Sequence, residues 1–153
     1  MILNEDYRDI LQAFTEERVD FILVGAYAMA VHGYPRATMD IDLWVMPSPE
    51  NADAVLRALK RFGSPLHGMT AKDLQHADTV FQIGVAPRRI DVITGATGLD
   101  YPSAARNAVA CRIDGLGIKV LSLDDLIHNK QSTGRPKDQV DADELVKIKQ
   151  RNL

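Results

Sequence analysis

The amino-acid sequence predicts an α/β (α+β) fold with one mixed β-sheet flanked by helices. Short apolar runs typical of buried strands alternate with longer segments in which apolar residues recur every three or four positions. An Asp-Gly pair between two strand-like runs is a strong hairpin signal. The 153 residues are 46% hydrophobic and 25% charged, which predicts one globular domain over residues 1–153.

The first half of the chain is predicted to form three helices and two strands. Asn4 caps the first helix, which places Ile10 and Phe14 on one apolar face. The next run is apolar throughout and ends at Gly25, as a buried strand would. Ser48, followed by proline, starts the third helix. In chain order the predicted elements are helix 4–17, strand 21–24, helix 26–32, strand 40–45 and helix 49–62.

The second half is predicted to form two hairpins and two helices. The Asp-Gly pair at 114–115 joins two strands. Ser122, followed by an aspartate three positions later, resembles a capping box and starts a helix. The last helix is predicted to direct Val140, Leu145 and Ile148 inward. In chain order the predicted elements are strands 79–85 and 89–94, strands 108–113 and 117–121, helix 122–129 and helix 137–149.

Composition and charge exclude several classes of protein. The formal net charge of -3 excludes a basic nucleic-acid footprint over the whole chain, although a local basic patch remains open. A single cysteine excludes an intramolecular disulfide and cysteine-rich zinc sites. The sequence has neither a signal peptide pattern nor an apolar run long enough to span a bilayer. We therefore expect a cytoplasmic protein that does not interact with a membrane.

Two aspartates lie two positions apart on the strand predicted for residues 40–45. Because strand side chains alternate between faces, Asp40 and Asp42 point the same way. Two ionised carboxylates so close together repel each other unless a cation lies between them. Mg²⁺ is the natural ion, because it takes oxygen ligands from carboxylates and substrate phosphates. Taken alone, however, such a pair is more often a solvated feature at a strand end than a metal site.

A third carboxylate, Asp91, lies on another predicted strand in the run Arg-Arg-Ile-Asp-Val-Ile. If the two strands are neighbours, Asp40, Asp42 and Asp91 form one catalytic and metal-binding cluster. Three carboxylates suit nucleotidyl transfer with two metal ions: one orients the triphosphate, and the other lowers the pKa of the attacking hydroxyl. The expected cofactor is therefore a pair of Mg²⁺ ions, with Mn²⁺ as an alternative.

The upstream segment adds candidate nucleotide-binding residues. Gly25 and Ala26 follow a strand and start a helix, where backbone N–H groups can approach a phosphate. A plain tight turn explains the glycine equally well. If the next strand begins at Arg36, then Arg36 and Thr38 share a face with the aspartates, and the guanidinium can meet phosphate oxygens. The alternative is that Arg36 pairs with the aspartates.

Three further side chains near the carboxylates have two interpretations each. Trp44 shares the face of the aspartates by alternation, so it either stacks on a base or packs beneath a neighbouring element, and packing is favoured. Arg88 and Arg89 precede Asp91. They either steer a polyanionic substrate or are solvated at the surface, and the sequence favours neither interpretation.

Taken together, these segments resemble a known family. The string from Val24 to Gly33, Val-Gly-Ala-Tyr-Ala-Met-Ala-Val-His-Gly, and the string from Arg36 to Leu43, Arg-Ala-Thr-Met-Asp-Ile-Asp-Leu, are similar to the nucleotidyltransferase fold of the DNA polymerase β superfamily. Within that superfamily the chain resembles small bacterial proteins related to the AbiEii toxin. The resemblance covers residues 21–145, and its motifs are more specific for the fold than for the substrate.

The resemblance implies a role for each matching residue. Asp40, Asp42 and Asp91 would bind Mg²⁺, while Gly25 and Ala26 would face the triphosphate of an NTP. Many active members have Ser or Gly at the position of Ala26, which lacks a hydroxyl but keeps the backbone N–H.

The end of the chain resembles the family as well. Lys130 and Arg135 would reach phosphates or the acceptor, while Lys137 and Asp138 would instead secure the last helix. The larger relatives carry a sizeable C-terminal helical domain that grips an acceptor, and from the short length of the sequence we expect none here.

The expected activity is transfer of a nucleoside monophosphate from an NTP to a hydroxyl acceptor. The acceptor is an RNA end, a protein side chain or a small molecule such as an aminoglycoside, and the resemblance to toxins favours a macromolecule. It also suggests a cognate antitoxin or a second copy of the chain as a partner. The alternative is a catalytically inactive binding or regulatory module of the same fold, which Ala26 favours and the intact carboxylates oppose.

Overall fold

A computed structural model of the protein describes residues 2–153, and within this range six strands form one mixed sheet flanked by helices. This confirms the predicted fold class. The strands are β1 Phe21–Val24, β2 Asp40–Val45, β3 Val80–Ile83, β4 Arg89–Ile93, β5 Val109–Ile113 and β6 Leu116–Val120. The helices are α1 Glu5–Glu16, α2 Gly25–Val31, α3 Pro49–Phe62, α4 Tyr101–Asn107, α5 Leu123–Ser132 and α6 Pro136–Arg151, with a short 3-10 helix at Asp73–Gln75. None of the helices in this described range is long and apolar enough to cross a membrane.

The strand order places the two acidic strands side by side. The order is β3-β4-β2-β1-β6-β5; β2 runs parallel to β4, and β1 runs antiparallel to β2. In this register Asp42 lies opposite Asp91, and Asp40 lies opposite Arg89. Residues opposite each other on neighbouring strands project to the same face of a sheet. The pairing of β2 with β4 therefore brings Asp91 next to the first two aspartates.

Local sequence signals account for most element boundaries. The side chains of Asn4, Ser48 and Ser122 each accept a hydrogen bond from a backbone N–H three residues on, as predicted for N-caps. The predicted ranges of β1 and β2 agree with the structure residue for residue. The Asp-Gly pair at 114–115 joins β5 to β6 in an antiparallel hairpin, as predicted.

The prediction for the inward face of α6 is wrong at one position. Leu145 and Ile148 are buried as predicted, whereas Val140 is 60% exposed. The buried face of this helix begins instead with Asp138 and Asp141. These carboxylates point inward because they meet cations from other elements, so ion pairs rather than apolar contacts position the start of α6.

Helix α4, Tyr101–Asn107, lies in a segment for which no element was predicted from the sequence. It begins after Asp100, whose side chain accepts a hydrogen bond from the backbone N–H of Ser103 at 3.0 Å. Pro102 occupies its first turn. An aspartate followed by a proline two positions later is a helix-start signal that identifies this element in retrospect.

The core lies between the sheet and the helices that cover it. All four residues of β1 are buried. Phe14 of α1 packs edge to face against Phe21 of β1, with ring centroids 5.3 Å apart. Trp44 is 1% exposed and packs in the same way on Tyr101 of α4, with centroids 5.2 Å apart. Trp44 therefore packs inside the protein, as favoured, and is not accessible for base stacking.

We predict that Asn51→Ala destabilises the protein by about 2 kcal/mol, because it removes three hydrogen bonds between the buried amide and the backbone and leaves the N–H of Asp20 without its partner. The Asn51 amide donates to the carbonyl oxygens of Asp20 and Met46, both at 2.9 Å, and its oxygen accepts from the N–H of Asp20 at 2.7 Å. Urea unfolding measures the change. Asp53→Ala, an exposed substitution on the same helix, is the control and should change stability by less than about 0.5 kcal/mol. Equal effects of the two substitutions would contradict this account.

Candidate active site

A cleft of about 610 Å³ opens where β1 ends and β2 and β4 begin. The nine residues predicted for the site come from five separate parts of the chain, and all of them line this cleft. They are Gly25, Ala26, Arg36, Thr38, Asp40, Asp42, Asp91, Lys130 and Arg135. The structure therefore brings the predicted residues together, while their individual roles remain predictions.

The three aspartates form one cluster at the base of the cleft. One carboxylate oxygen from each of Asp40, Asp42 and Asp91 can be chosen so that all three lie within 4.8 Å of one another. The side chain of Asp91 is 10% exposed and that of Asp40 is 22% exposed. The strands hold these oxygens close, and partial burial deprives them of the water that would screen their charges.

This crowding changes the protonation of the cluster. Burial, reinforced by the negative charges of Asp40 and Asp91, raises the pKa of Asp42 from 3.8 to about 7. Burial also raises the pKa of Asp91, although the neighbouring Arg89 opposes the shift. Ionisation of all three carboxylates is therefore unfavourable, and binding of either a proton or a cation stabilises the cluster.

Arg89, whose role the sequence left undecided, is the ion-pair partner of the cluster. Its guanidinium donates to Asp40 at 2.5 Å and to the two oxygens of Asp91 at 3.1 and 3.3 Å. Simple solvation does not describe this position, since the side chain is only 34% exposed and pairs with two carboxylates. Alternation along β4 places Arg89 and Asp91 on one face, a signal that could have indicated the contact.

Gly25 is required by the position of Asp42. Its φ is +71°, a conformation that L-residues other than glycine adopt only with strain. A Cβ built on Gly25 would collide with the carboxylate oxygen of Asp42. The glycine therefore makes room for a carboxylate of the cluster, an explanation more specific than either a tight turn or a phosphate contact.

Arg36 and Thr38 do not continue β2, because the strand begins at Asp40. The hydroxyl of Thr38 donates to the backbone carbonyl of Asp40 at 3.0 Å. Arg36 forms an ion pair with Asp141 on α6. The predicted row of four side chains on one strand face is therefore absent from the described chain, and the alternative in which Arg36 pairs with the aspartates of β2 is also wrong.

A second set of charges closes the other side of the cleft. Lys130 lies 3.3 Å from Asp138 and 3.4 Å from Asp141. Arg135 donates to Asp138 at 2.8 Å and leaves 73% of its side chain exposed. Asp138 thus ties the start of α6 to α5, as the resemblance implied. Although burial opposes the shift, hydrogen bonds from Thr133 and the charge of Lys130 lower the pKa of Asp138.

The donor set at the base of the cleft fits a divalent metal ion. Oxygen ligands from three carboxylates are the type that Mg²⁺ and Mn²⁺ take. The cleft is lined by five carboxylates and five cationic side chains. Asp138 and Asp141, however, already form ion pairs with three of these cations. The cluster has Arg89 as its ion-pair partner among residues 2–153, so its negative charge exceeds the positive charge in contact with it.

Comparisons with known proteins agree with this fold. A family model described as the nucleotidyl transferase AbiEii toxin of type IV toxin–antitoxin systems matches residues 9–150. The chain resembles a Thermotoga maritima protein described as a candidate nucleotidyltransferase, with a TM-score of 0.59 and 17% identity over 99% of this chain and 96% of that one. It also resembles ANT(2″)-Ia, solved in complex with adenylyl-2″-tobramycin, with a TM-score of 0.52 and 14% identity over 91% and 84% of the two chains. At these identities the likeness shows the fold. Among proteins of curated function, none matches the chain.

We predict that the metal-free protein loses stability as the pH rises from about 4 to about 7. The pKa of Asp42 is about 7 in the folded state against an ordinary 3.8, so the folded chain binds more protons than the unfolded chain in this window. The free energy of unfolding must then fall with rising pH. Thermal unfolding in EDTA at several pH values measures the slope.

Asp42→Asn should flatten this slope, whereas the exposed Asp53→Asn should not. If the stability of the wild-type protein relative to Asp42→Asn is independent of pH over this window, burial and the neighbouring carboxylates do not raise the pKa of Asp42.

Proposed function

Since the chain belongs to the AbiEii nucleotidyl transferase family, we propose that it transfers a nucleoside monophosphate from an NTP to a hydroxyl group, with divalent cations held by Asp40, Asp42 and Asp91. The observation that carries this proposal is the convergence of these carboxylates from two strands in one cleft, where, within residues 2–153, Arg89 alone forms ion pairs with them. A metal ion removes that imbalance and supplies the positive charge that a triphosphate needs.

The proposed reaction is a displacement at the α-phosphorus of the NTP. The acceptor oxygen forms a bond to this phosphorus, and the bond from phosphorus to the bridging oxygen of the β-phosphate breaks. The electron pair of the broken bond leaves with pyrophosphate, and the hydroxyl proton passes to solvent or a nearby base. When bound, the metal ions would lower the pKa of the attacking hydroxyl and stabilise the negative charge of the leaving group.

The residues of the chain position the substrate around this centre. Lys130, 16% exposed, and Arg135, largely exposed, line the opposite side of the cleft, where their positive charges can attract the phosphates of the substrate. Gly25 and Ala26 line the cleft beside the carboxylates, where their backbone N–H groups can approach the triphosphate. Arg36 and Thr38 act through other residues, since one pairs with Asp141 and the other with Asp40.

The acceptor is the finer part of the proposal. The family description names a toxin of type IV toxin–antitoxin systems, which supports a macromolecular acceptor, either an RNA end or a protein side chain, and a cognate antitoxin as partner. One structural neighbour was solved in complex with adenylyl-2″-tobramycin, so a hydroxyl group of a small molecule is the third candidate acceptor. A pairing between two copies of the chain and a cytoplasmic location stay predictions.

Binding without catalysis is the second candidate function, and Ala26 is the observation that favours it. Ala26 lines the cleft without the hydroxyl that many active members have at this position. Its backbone N–H remains, so nucleotide binding is expected under both functions. Ala26→Ser separates them: it should raise transfer in an enzyme that already has activity, and it should create none in a binding module.

We predict that Mg²⁺ together with the preferred NTP stabilises the protein by about 2.7 kcal/mol at a ligand concentration of 100 times Kd, through linkage of binding to folding. Thermal unfolding with each NTP, with and without metal, measures this. The metal and the NTP should each have a smaller effect alone than together. If no NTP raises the melting temperature at saturating Mg²⁺, nucleotide transfer and nucleotide binding are both wrong, and a regulatory module that binds no nucleotide is favoured instead.

We predict that Asp42→Asn lowers transfer more than about 100-fold, because loss of a charged metal ligand should exceed the 10- to 100-fold cost of losing its supporting partners. The fold should persist and become slightly more stable without metal, since one repelling charge disappears. Incubation with each labelled NTP against RNA, protein and aminoglycoside pools measures transfer and identifies the acceptor. Asp53→Asn is the control with matched chemistry. Full activity in Asp42→Asn would remove Asp42 from the mechanism.

A further inference from the structure

Arg89 occupies a position that a metal ion would compete for. Its guanidinium reaches Asp40 at 2.5 Å and Asp91 at 3.1 Å, so it bridges two of the three aspartates that offer metal ligands. Within residues 2–153, these are the ion pairs that the cluster makes. An oxygen that accepts from a guanidinium has less negative charge to give to a second cation. Arg89 and a divalent cation therefore use the same carboxylates.

The backbone of Arg89 is held firmly, whereas its side chain has room to move. The buried hydroxyl of Tyr7 lies 3.0 Å from the carbonyl oxygen of Arg89 and 3.1 Å from that of Pro87, and can donate to either. The N–H of Arg89 donates to the carbonyl of Met39 at 3.3 Å. In contrast, 34% of the side chain is exposed, and it lines the open cleft. A change of side-chain torsions can move the guanidinium without disturbing β4.

We propose that Arg89 is an exchangeable counter-ion of the carboxylate cluster. It neutralises Asp40 and Asp91 before a divalent cation binds, and it turns to the polyphosphate of the substrate when the cation displaces it. This inference rests on the proposed function, because it assumes that Asp40, Asp42 and Asp91 hold the metal. It assigns Arg89 two successive partners, first the carboxylates and then the polyphosphate. It also explains why a positively charged residue lies on the strand that carries a metal ligand.

The exchange predicts opposite effects of Arg89 on two ligands. Before the exchange the arginine opposes the metal ion, since each occupies the same oxygens. Afterwards the guanidinium has lost both carboxylate partners and needs another anion. The phosphate oxygens of a metal-bound polyphosphate lie in the same cleft, and guanidinium groups bind phosphate with two parallel hydrogen bonds. Removing Arg89 should therefore strengthen binding of the metal alone and weaken binding of the metal–polyphosphate complex.

The test compares wild-type protein, Arg89→Gln, Arg89→Lys and Arg88→Gln. Arg88 is a matched control, because it precedes the same strand but is 55% exposed and pairs with Asp6 at 3.4 Å, outside the cluster. Electron paramagnetic resonance measures the binding of Mn²⁺ alone at fixed pH. Isothermal titration calorimetry with inorganic tripolyphosphate at saturating Mn²⁺ measures the second affinity without involving any choice of base. Circular dichroism checks that each variant is folded.

We expect Arg89→Gln to bind Mn²⁺ about 5-fold more tightly or better, and Mn²⁺–tripolyphosphate about 5-fold more weakly or worse, than the wild type. The affinities of Arg89→Lys should lie between those of the wild type and Arg89→Gln in both titrations. This variant provides the comparison if Arg89→Gln does not fold. Arg88→Gln should match the wild type in both.

Two outcomes would overturn the exchange. If Arg89→Gln binds Mn²⁺ no better than the wild type, the arginine does not compete with the metal ion. If tripolyphosphate binding is unchanged, the displaced side chain has no role toward the substrate. In both cases Mn²⁺ still binds the wild type, and the proposed function stands. If neither the wild type nor any Arg89 variant binds Mn²⁺, the proposed function and this inference are wrong together.

Discussion

Electrostatic repulsion among three aspartates is the constraint around which this protein is arranged. The backbone hydrogen bonds between β2 and β4 place Asp42 opposite Asp91, and the alternation of β2 adds Asp40 on the same face. The sheet cannot relax this crowding without breaking its own pairing. Relief must therefore come from outside the three residues, from a proton, from the guanidinium of Arg89 or from a divalent cation. Among these three, the divalent cation can bind the carboxylates and the phosphates of a nucleoside triphosphate at the same time.

Asp138 and Asp42 lie in the same cleft but differ in their partners and in the direction of their pKa shifts, which distinguishes a structural carboxylate from a ligand-binding one. Asp138 has a lysine, an arginine and a hydroxyl as partners, and although burial opposes the shift, these contacts lower its pKa below the ordinary value. Asp42 has no such set of partners, and burial raises its pKa to about 7. Carboxylates that are fully paired fix one helix against another, whereas carboxylates left short of positive charge can bind a ligand. Membership of the AbiEii family agrees with this division.

The sequence predicted best what depends on local chemistry. The bounds of β1 and β2 and the three N-caps follow from short-range patterns, and the structure confirms them. Contacts between residues that are far apart in the sequence were harder to predict. That Asp91 lies beside Asp42 depends on which strands pair, which periodicity does not determine. The burial of Asp141 in place of Val140, and its pairing with Arg36, follow from tertiary ion pairs between α6 and the loop before β2. The resemblance to a known family supplied the expectation that the three carboxylates converge, which the residues alone left conditional.

The central claim is that the carboxylates of Asp40, Asp42 and Asp91 together hold a divalent cation, and a crystal of the protein soaked in Mn²⁺ tests it most directly. Anomalous diffraction locates the manganese independently of any enzymatic assay. The account predicts a strong anomalous peak between the three side chains, with oxygens of at least two of them about 2.0–2.3 Å from the ion. Strong manganese peaks elsewhere and none at this cluster, with the three aspartates still side by side, would contradict it.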